Sequence, residues 1–146
     1  MKQIGIVGAS SCDEATYEIA FQVGKLLAQE KCTVINGGLG GVMEASAKGV
    51  RDQGGVVVGI LPGEKQFANP FIGVSIATNM GHARNMIIVH SSDAIIAIGG
   101  EYGTISEMAI ALKEGKRVVA IHPPMKFPDL IVCESAPEAV KNVLEE

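Results

Sequence analysis

The chain has 146 residues, with 12 basic against 16 acidic side chains and a formal net charge of −4. That length suits one domain, residues 1–146, and the acidic balance, 4% aromatic content and absence of Trp exclude a basic, base-stacking nucleic-acid binder. No run approaches the roughly 18 apolar residues of a membrane helix, and the apolar start lacks a signal-peptide core, so a cytoplasmic protein with no membrane partner is expected.

Apolar runs alternate with helical patterns along the chain. Gln3–Val7 is a short β-rich run ending in Gly8-Ala9-Ser10-Ser11. Asp13–Gln29 follows with Ala15, Ile19, Val23, Leu26 and Leu27 at helical spacing, and Ser11 with Glu14 supplies an S-x-x-E start signal. Cys32–Ile35 predicts a second strand, stopped by Asn36-Gly37-Gly38, and Gly41–Gln53 a second helix ended by Gly54-Gly55. Val56–Leu61 is a continuous apolar run, as expected of a strand buried on both faces. Pro62–Asn69 is a polar loop, Phe71–Ala77 holds a short strand, and Met80–His90 has a helical pattern. Asp93–Ile98 is another apolar strand closed by Gly99-Gly100; Gly103–Glu114 predicts a helix, Arg117–Ile121 a strand and Ala136–Leu144 a closing helix after the Pro123-Pro124 break.

This alternation predicts an α/β fold: a doubly wound parallel sheet in a Rossmann-like three-layer sandwich. An eight-unit barrel needs more chain. The three cysteines, Cys12, Cys32 and Cys133, form no CxxC and are expected to be reduced, mostly buried thiols, and no cluster has metal-ligand spacing.

Glycine is in excess, 18 of 146 or about 12% against an average of about 7%. Much of the excess falls in strand-to-helix turns: Gly8-Ala9-Ser10-Ser11, Gly37-Gly38-Leu39-Gly40-Gly41 and Gly99-Gly100-Glu101-Tyr102-Gly103-Thr104. Such turns lie where open parallel sheets bind ligands, and a helix N-terminus behind a glycine turn offers unpaired N–H donors to an anion. Glycines also punctuate α/β chains for no functional reason, but two double-glycine turns at strand ends favour a phosphate site. Candidate binding residues are Ser10, Gly37, Gly38, Gly40, Gly41, Met43, Gly99, Gly100, Gly103 and Thr104. The dinucleotide fingerprint G-x-G-x-x-G fails after the first strand, and the triphosphate loop G-x-x-x-x-G-K-[ST] is absent, so no dinucleotide or other cofactor is expected.

Two further residues have competing readings. Arg84 is either a surface arginine on an amphipathic helix or an anion partner at the crevice. Glu107 closes Thr104-Ile105-Ser106-Glu107, which reads as a capping box, or else it reaches into the crevice as an acid, base or cation stabiliser. His82 is more simply packed or solvated.

The stretches Gly37-Gly38-Leu39-Gly40-Gly41-Val42-Met43-Glu44-Ala45 and Gly99-Gly100-Glu101-Tyr102-Gly103-Thr104-Ile105-Ser106-Glu107 resemble the paired motifs of the LOG (LONELY GUY), or lysine decarboxylase-like, family. Within it the chain is similar to a short branch that also resembles the molybdenum cofactor carrier proteins. Ile98 stands where the family's PGGxGTxxE motif has proline, and Asn85 where its M-x-x-R-K stretch has lysine.

The resemblance implies a homodimer or higher homo-oligomer and a phosphorylated nucleotide-like or pterin-like ligand. It also implies a phosphate held by Gly99, Gly100, Gly103 and Thr104. Arg84 and Glu107 match the family's catalytic pair for N-glycosidic hydrolysis of nucleoside 5′-monophosphates. Arg84 and Glu107 favour such a phosphoribohydrolase, whereas the two replacements favour a non-catalytic carrier or sensor.

Overall fold

The structure, a computed structural model, describes residues 2–145; residues 1 and 146 of the expected domain lie outside the described residues. In chain order the elements are β1 (Gln3–Gly8), α1 (Glu14–Gln29), β2 (Thr33–Asn36), α2 (Val42–Asp52), β3 (Val57–Leu61), β4 (Val74–Ala77), α3 (Arg84–Ser91), β5 (Ala94–Ile98), α4 (Tyr102–Lys113), β6 (Arg117–Ile121), β7 (Ile131–Cys133) and α5 (Ala136–Leu144). Single 3-10 turns at Lys65–Phe67 and Gly81–Ala83 precede β4 and α3.

The strands form one all-parallel sheet in the order β4-β3-β2-β1-β5-β6-β7. Helices cover both faces, so the central strands are apolar on both sides, as their unbroken hydrophobic runs predict. Alternate residues serve opposite faces. Ile4, Ile6, Ala94, Ile96 and Ile98 pack with α1, α2 and α5, while Val7, Ile95 and Ala97 pack with α3 and α4. β7, absent from the sequence expectations, is a three-residue edge strand. Phe127 and Leu130, from the segment leading to it, pack against the α3–α4 side of the core where a crossover helix would otherwise lie.

The start of α1 differs from the S-x-x-E expectation. Asp13, not Ser11, is the N-cap, and its carboxylate accepts from the Thr16 N–H at 2.8 Å. Only Cys133 is buried; Cys12 and Cys32 are partly exposed, which corrects the expectation of mostly buried thiols. Among the described residues no helix is long and apolar enough to cross a membrane.

The α1–α2 contact is unusually close because each helix presents a glycine to the other's backbone. A Cβ on Gly24 would collide with the Ser46 carbonyl, and one on Gly49 with the Phe21 carbonyl. Overpacking a tight contact typically costs about 1–3 kcal/mol. Gly24→Ala and Gly49→Ala should therefore each lower the urea midpoint by that much stability. An unchanged midpoint in both would mean that the two helices are not held in this contact.

Candidate functional site

β1 and β5 are neighbours with Gly8 paired to Ile98 at their carboxyl ends. The chain leaves β1 for α1 on one face and β5 for α4 on the other, so this is the switch point of the sheet. A crevice of about 270 Å³ opens here, close to the lower end of small-ligand sites. Its lining draws on the Gly8–Ser10 turn, the loop after β2, the segment entering α3 and the first turns of α4.

Arg84 is not a surface residue. Its Nη1 donates to the Ile60 carbonyl at the end of β3 at 2.9 Å. The guanidinium lies against Gly37, where any Cβ would collide with Nη1 and crowd the Met43 sulfur. Its Nε is buried with no hydrogen-bond partner among the described residues, an uncommon condition for a charged donor. Burial lowers the Arg84 pKa, and the nearby Glu107 charge opposes that shift.

Glu107 lies across the crevice on α4 and is only 7% exposed. Burial pushes its carboxyl pKa up to about 7, against the pull of Arg84. The capping-box reading of Glu107 fails. α4 begins at Tyr102 with Glu101 as its N-cap, so Thr104 is inside the helix and Glu107 is beyond the first turn. The carboxyl group is left free to face the crevice.

The two double-glycine turns do different work. At α2 the helix start is filled from within: the Val42 N–H donates to the Ala9 carbonyl at 3.1 Å, and the Met43 N–H to the Gly40 carbonyl at 3.2 Å. Gly41 sits so close to the first turn that a Cβ would strike the Ala9 carbonyl. At α4, Glu101 makes no side-chain cap bond, and the first backbone bond runs from the Ile105 N–H to the Glu101 carbonyl at 2.9 Å. Among the described residues the N–H groups of Tyr102, Gly103 and Thr104 therefore have no backbone partner and remain available to an anion.

Of the expected binding residues, the fold brings Ser10, Gly37, Met43, Gly103 and Thr104 to the crevice with Arg84 and Glu107. Gly38, Gly40, Gly41, Gly99 and Gly100 do not line it. Gly38 is held by the buried Asn36, whose Oδ1 accepts from the Gly38 N–H at 2.8 Å while its Nδ2 donates to the Met43 carbonyl at 2.9 Å. Gly100 makes room for the Thr104 side chain.

Sequence reasoning passed over Asn36, Leu39, Asn85 and Glu101 as site residues. A polar residue ending the apolar β2 run was the visible signal for Asn36. Asn85 was marked only as a departure from the M-x-x-R-K stretch, not as a lining residue. His82 lines the crevice from an exposed position.

Because the folded-state pKa of Glu107 is raised, the folded state binds more protons than the unfolded chain between the ordinary 4.5 and about 7. Stability must fall as pH rises through that window and level off above it. Glu107→Gln removes the effect. Its stability advantage over the parent should be near zero at pH 4.5 and reach on the order of 3 kcal/mol above pH 7. Urea unfolding at pH 5 and pH 8 checks this, and a pH-independent difference would contradict it.

The comparisons with known proteins agree with this architecture. A protein of Archaeoglobus fulgidus with no characterised function is 60% identical, over 96% of this chain and 93% of its own. A probable cytokinin riboside 5′-monophosphate phosphoribohydrolase of Oryza sativa is 33% identical over 69% of this chain, which spans 47% of that protein. The solved molybdenum cofactor binding protein from Rippkaea orientalis superposes with a TM-score of 0.92 at 30% identity, covering 97% of this chain and 94% of that one. The molybdenum cofactor carrier protein of Chlamydomonas reinhardtii gives 0.87 at 28% identity, covering 99% of both chains. The sequence matches the SLOG cluster4 family over residues 1–145, and the chain belongs to that family.

Proposed function

We propose that the crevice binds a phosphorylated, nucleotide-like ligand and hydrolyses the bond between its sugar and its base. The observation that carries this reading is Glu107: a buried carboxyl group, free of the helix cap, with a pKa near 7 and facing the same space as a guanidinium. A group that exchanges its proton near neutral pH suits general acid–base catalysis.

The chemistry follows from the arrangement. The open N-terminus of α4 receives the phosphate and fixes the ligand's register. Cleaving an N-glycosidic bond builds positive charge on the sugar ring. The bonding electrons leave with the base. Glu107 as carboxylate stabilises the ring cation and takes a proton from the water that adds to the anomeric carbon. The departing base is protonated in turn, so the sum is ligand plus water giving free base and sugar phosphate. Arg84, held by Ile60 and Gly37, is a positioning residue that keeps Glu107 from staying fully protonated. The similarity to plant phosphoribohydrolases supports this reading.

The second reading, a non-catalytic carrier or sensor for a pterin-like ligand, is favoured by the whole-chain match to molybdenum cofactor carriers. Assembly as a homodimer or higher homo-oligomer belongs to both readings.

Purified protein incubated with a panel of nucleoside 5′-monophosphates should release free base and ribose 5-phosphate, resolved by chromatography. Glu107→Gln should lower the rate by at least about 100-fold. No release from any substrate, with ligand binding retained, would favour the carrier.

A further inference from the structure

We infer that Asn36 is a positioning residue: by tying Gly38 to Met43 it holds Gly37 against Arg84 and so fixes the guanidinium across the crevice from Glu107. The inference rests on the preceding reading in taking the protonation of Glu107 as what the site must control.

Asn36 ends β2 and is fully buried, yet it does not line the crevice. Its amide is engaged at both ends. Oδ1 accepts from the Gly38 N–H at 2.8 Å, and Nδ2 donates to the Met43 carbonyl at 2.9 Å and to the Ser46 Oγ at 3.2 Å. A side chain bonded to the backbone two residues on fixes the turn between, and Gly38 enters that turn at a φ of +77°, where glycine is needed. Held inside it is Gly37. β2 and β3 pair with Asn36 level with Gly59, so Gly37 and Ile60 follow next on adjacent chains. Between them lies Arg84. Its Nη1 donates to the Ile60 carbonyl at 2.9 Å, and Gly37 leaves room for that same nitrogen. One amide thus fixes Gly37, which abuts the guanidinium, and Met43, whose sulfur packs beside Gly37.

Placement matters because Arg84 and Glu107 form no direct ion pair among the described residues. A charge felt across a gap acts with a strength set by its distance and by the water between. The titratable groups lining the crevice are His82 from the turn before α3, Arg84 from α3, Glu101 at the α4 cap and Glu107 itself; β1 and the loop after β2 bring none. Of the three that face Glu107, only Arg84 bears on its titration, pulling the carboxyl pKa down against burial. Arg84 has little else to hold it: one hydrogen bond, to Ile60, and an Nε with no partner among the described residues. Loosening Gly37 therefore frees the guanidinium to shift toward solvent, and Glu107 then holds its proton more tightly.

A ¹³C NMR titration of the Glu107 carboxyl in the full chain reads this directly. Asn36→Leu, which keeps the shape and removes both hydrogen-bonding ends, should raise the midpoint above the parent's by about half a pH unit or more. Arg84→Met should raise it too, and adding Asn36→Leu to Arg84→Met should raise it no further. Asn36→Ser, too short to span Gly38 and Met43, should shift it in the same direction and tests the same link if Asn36→Leu does not fold. Ser46→Ala, which leaves both Asn36 links to the backbone in place, should not move it. Base release by Asn36→Leu should fall about threefold at pH 6 and recover toward the parental rate by pH 9. A parental midpoint in the Asn36 variants, or a rate lowered equally at every pH, would overturn the proposal and leave Asn36 a purely structural residue. A parent that releases no base would refute the hydrolytic reading, with the midpoints still deciding the role of Asn36.

Discussion

The structure turns on the point between two adjacent parallel strands from which the strand order runs outward in opposite directions. β1 and β5 run side by side with Gly8 level with Ile98, but the helices that follow them pack on opposite faces. Nothing in the sheet can cover the gap between those departing helices. The backbone is most open there, and one helix start, that of α4, points into the space with unpaired donors. The rest of the fold fills the core tightly enough to hold this gap fixed. Two glycines, Gly24 and Gly49, let α1 and α2 approach backbone to backbone on one face, and the short helices α3 and α4 close the other.

Into this gap the crossover from β4 to β5 delivers Arg84, and α4 delivers Glu107. Burial opposes charge on both groups, and each partly relieves the other. A buried pair of this kind is weak as a source of stability, because removing two charges from water offsets much of their attraction. The unpartnered Nε of Arg84 adds to the cost. A polar pair retained against its contribution to stability, in the crevice where parallel sheets bind ligands, is best understood through chemistry.

The sheet and its helices were legible in the sequence because parallel strands are apolar on both faces and the connecting helices carry a clean 3.6-residue period. Asp93–Ile98 and Val56–Leu61 stand out on that ground alone. β7 was not legible: three residues after a proline break carry no periodicity, and the strand exists only because β6 offers an edge. Start signals misled for a related reason. Ser11 and Thr104 both stand three residues before a glutamate, but the choice of cap depends on which residue leaves helical geometry, and that is set by the preceding turn. Asp13 and Glu101 won those positions.

The site was legible in outline and not in its division of labour. Glycine pairs at Gly37–Gly38 and Gly99–Gly100 located the crevice, yet Gly37 makes room for a guanidinium and Gly41 for the Ala9 carbonyl. Close approach between segments distant in sequence leaves no local pattern. Asn85 was visible only as a departure from the M-x-x-R-K stretch: its place beside Gly103 becomes apparent only once α4 is set opposite it.

The most direct measurement is the titration of the Glu107 side-chain carboxyl by ¹³C NMR in protein labelled at glutamate, assigned by its loss in Glu107→Gln. A midpoint near 7 is expected from a carboxyl group buried in the crevice, free of the helix cap and only partly offset by Arg84. A midpoint at the ordinary value of 4.5 would place Glu107 in solvent or in a cap and remove the basis for its chemical role.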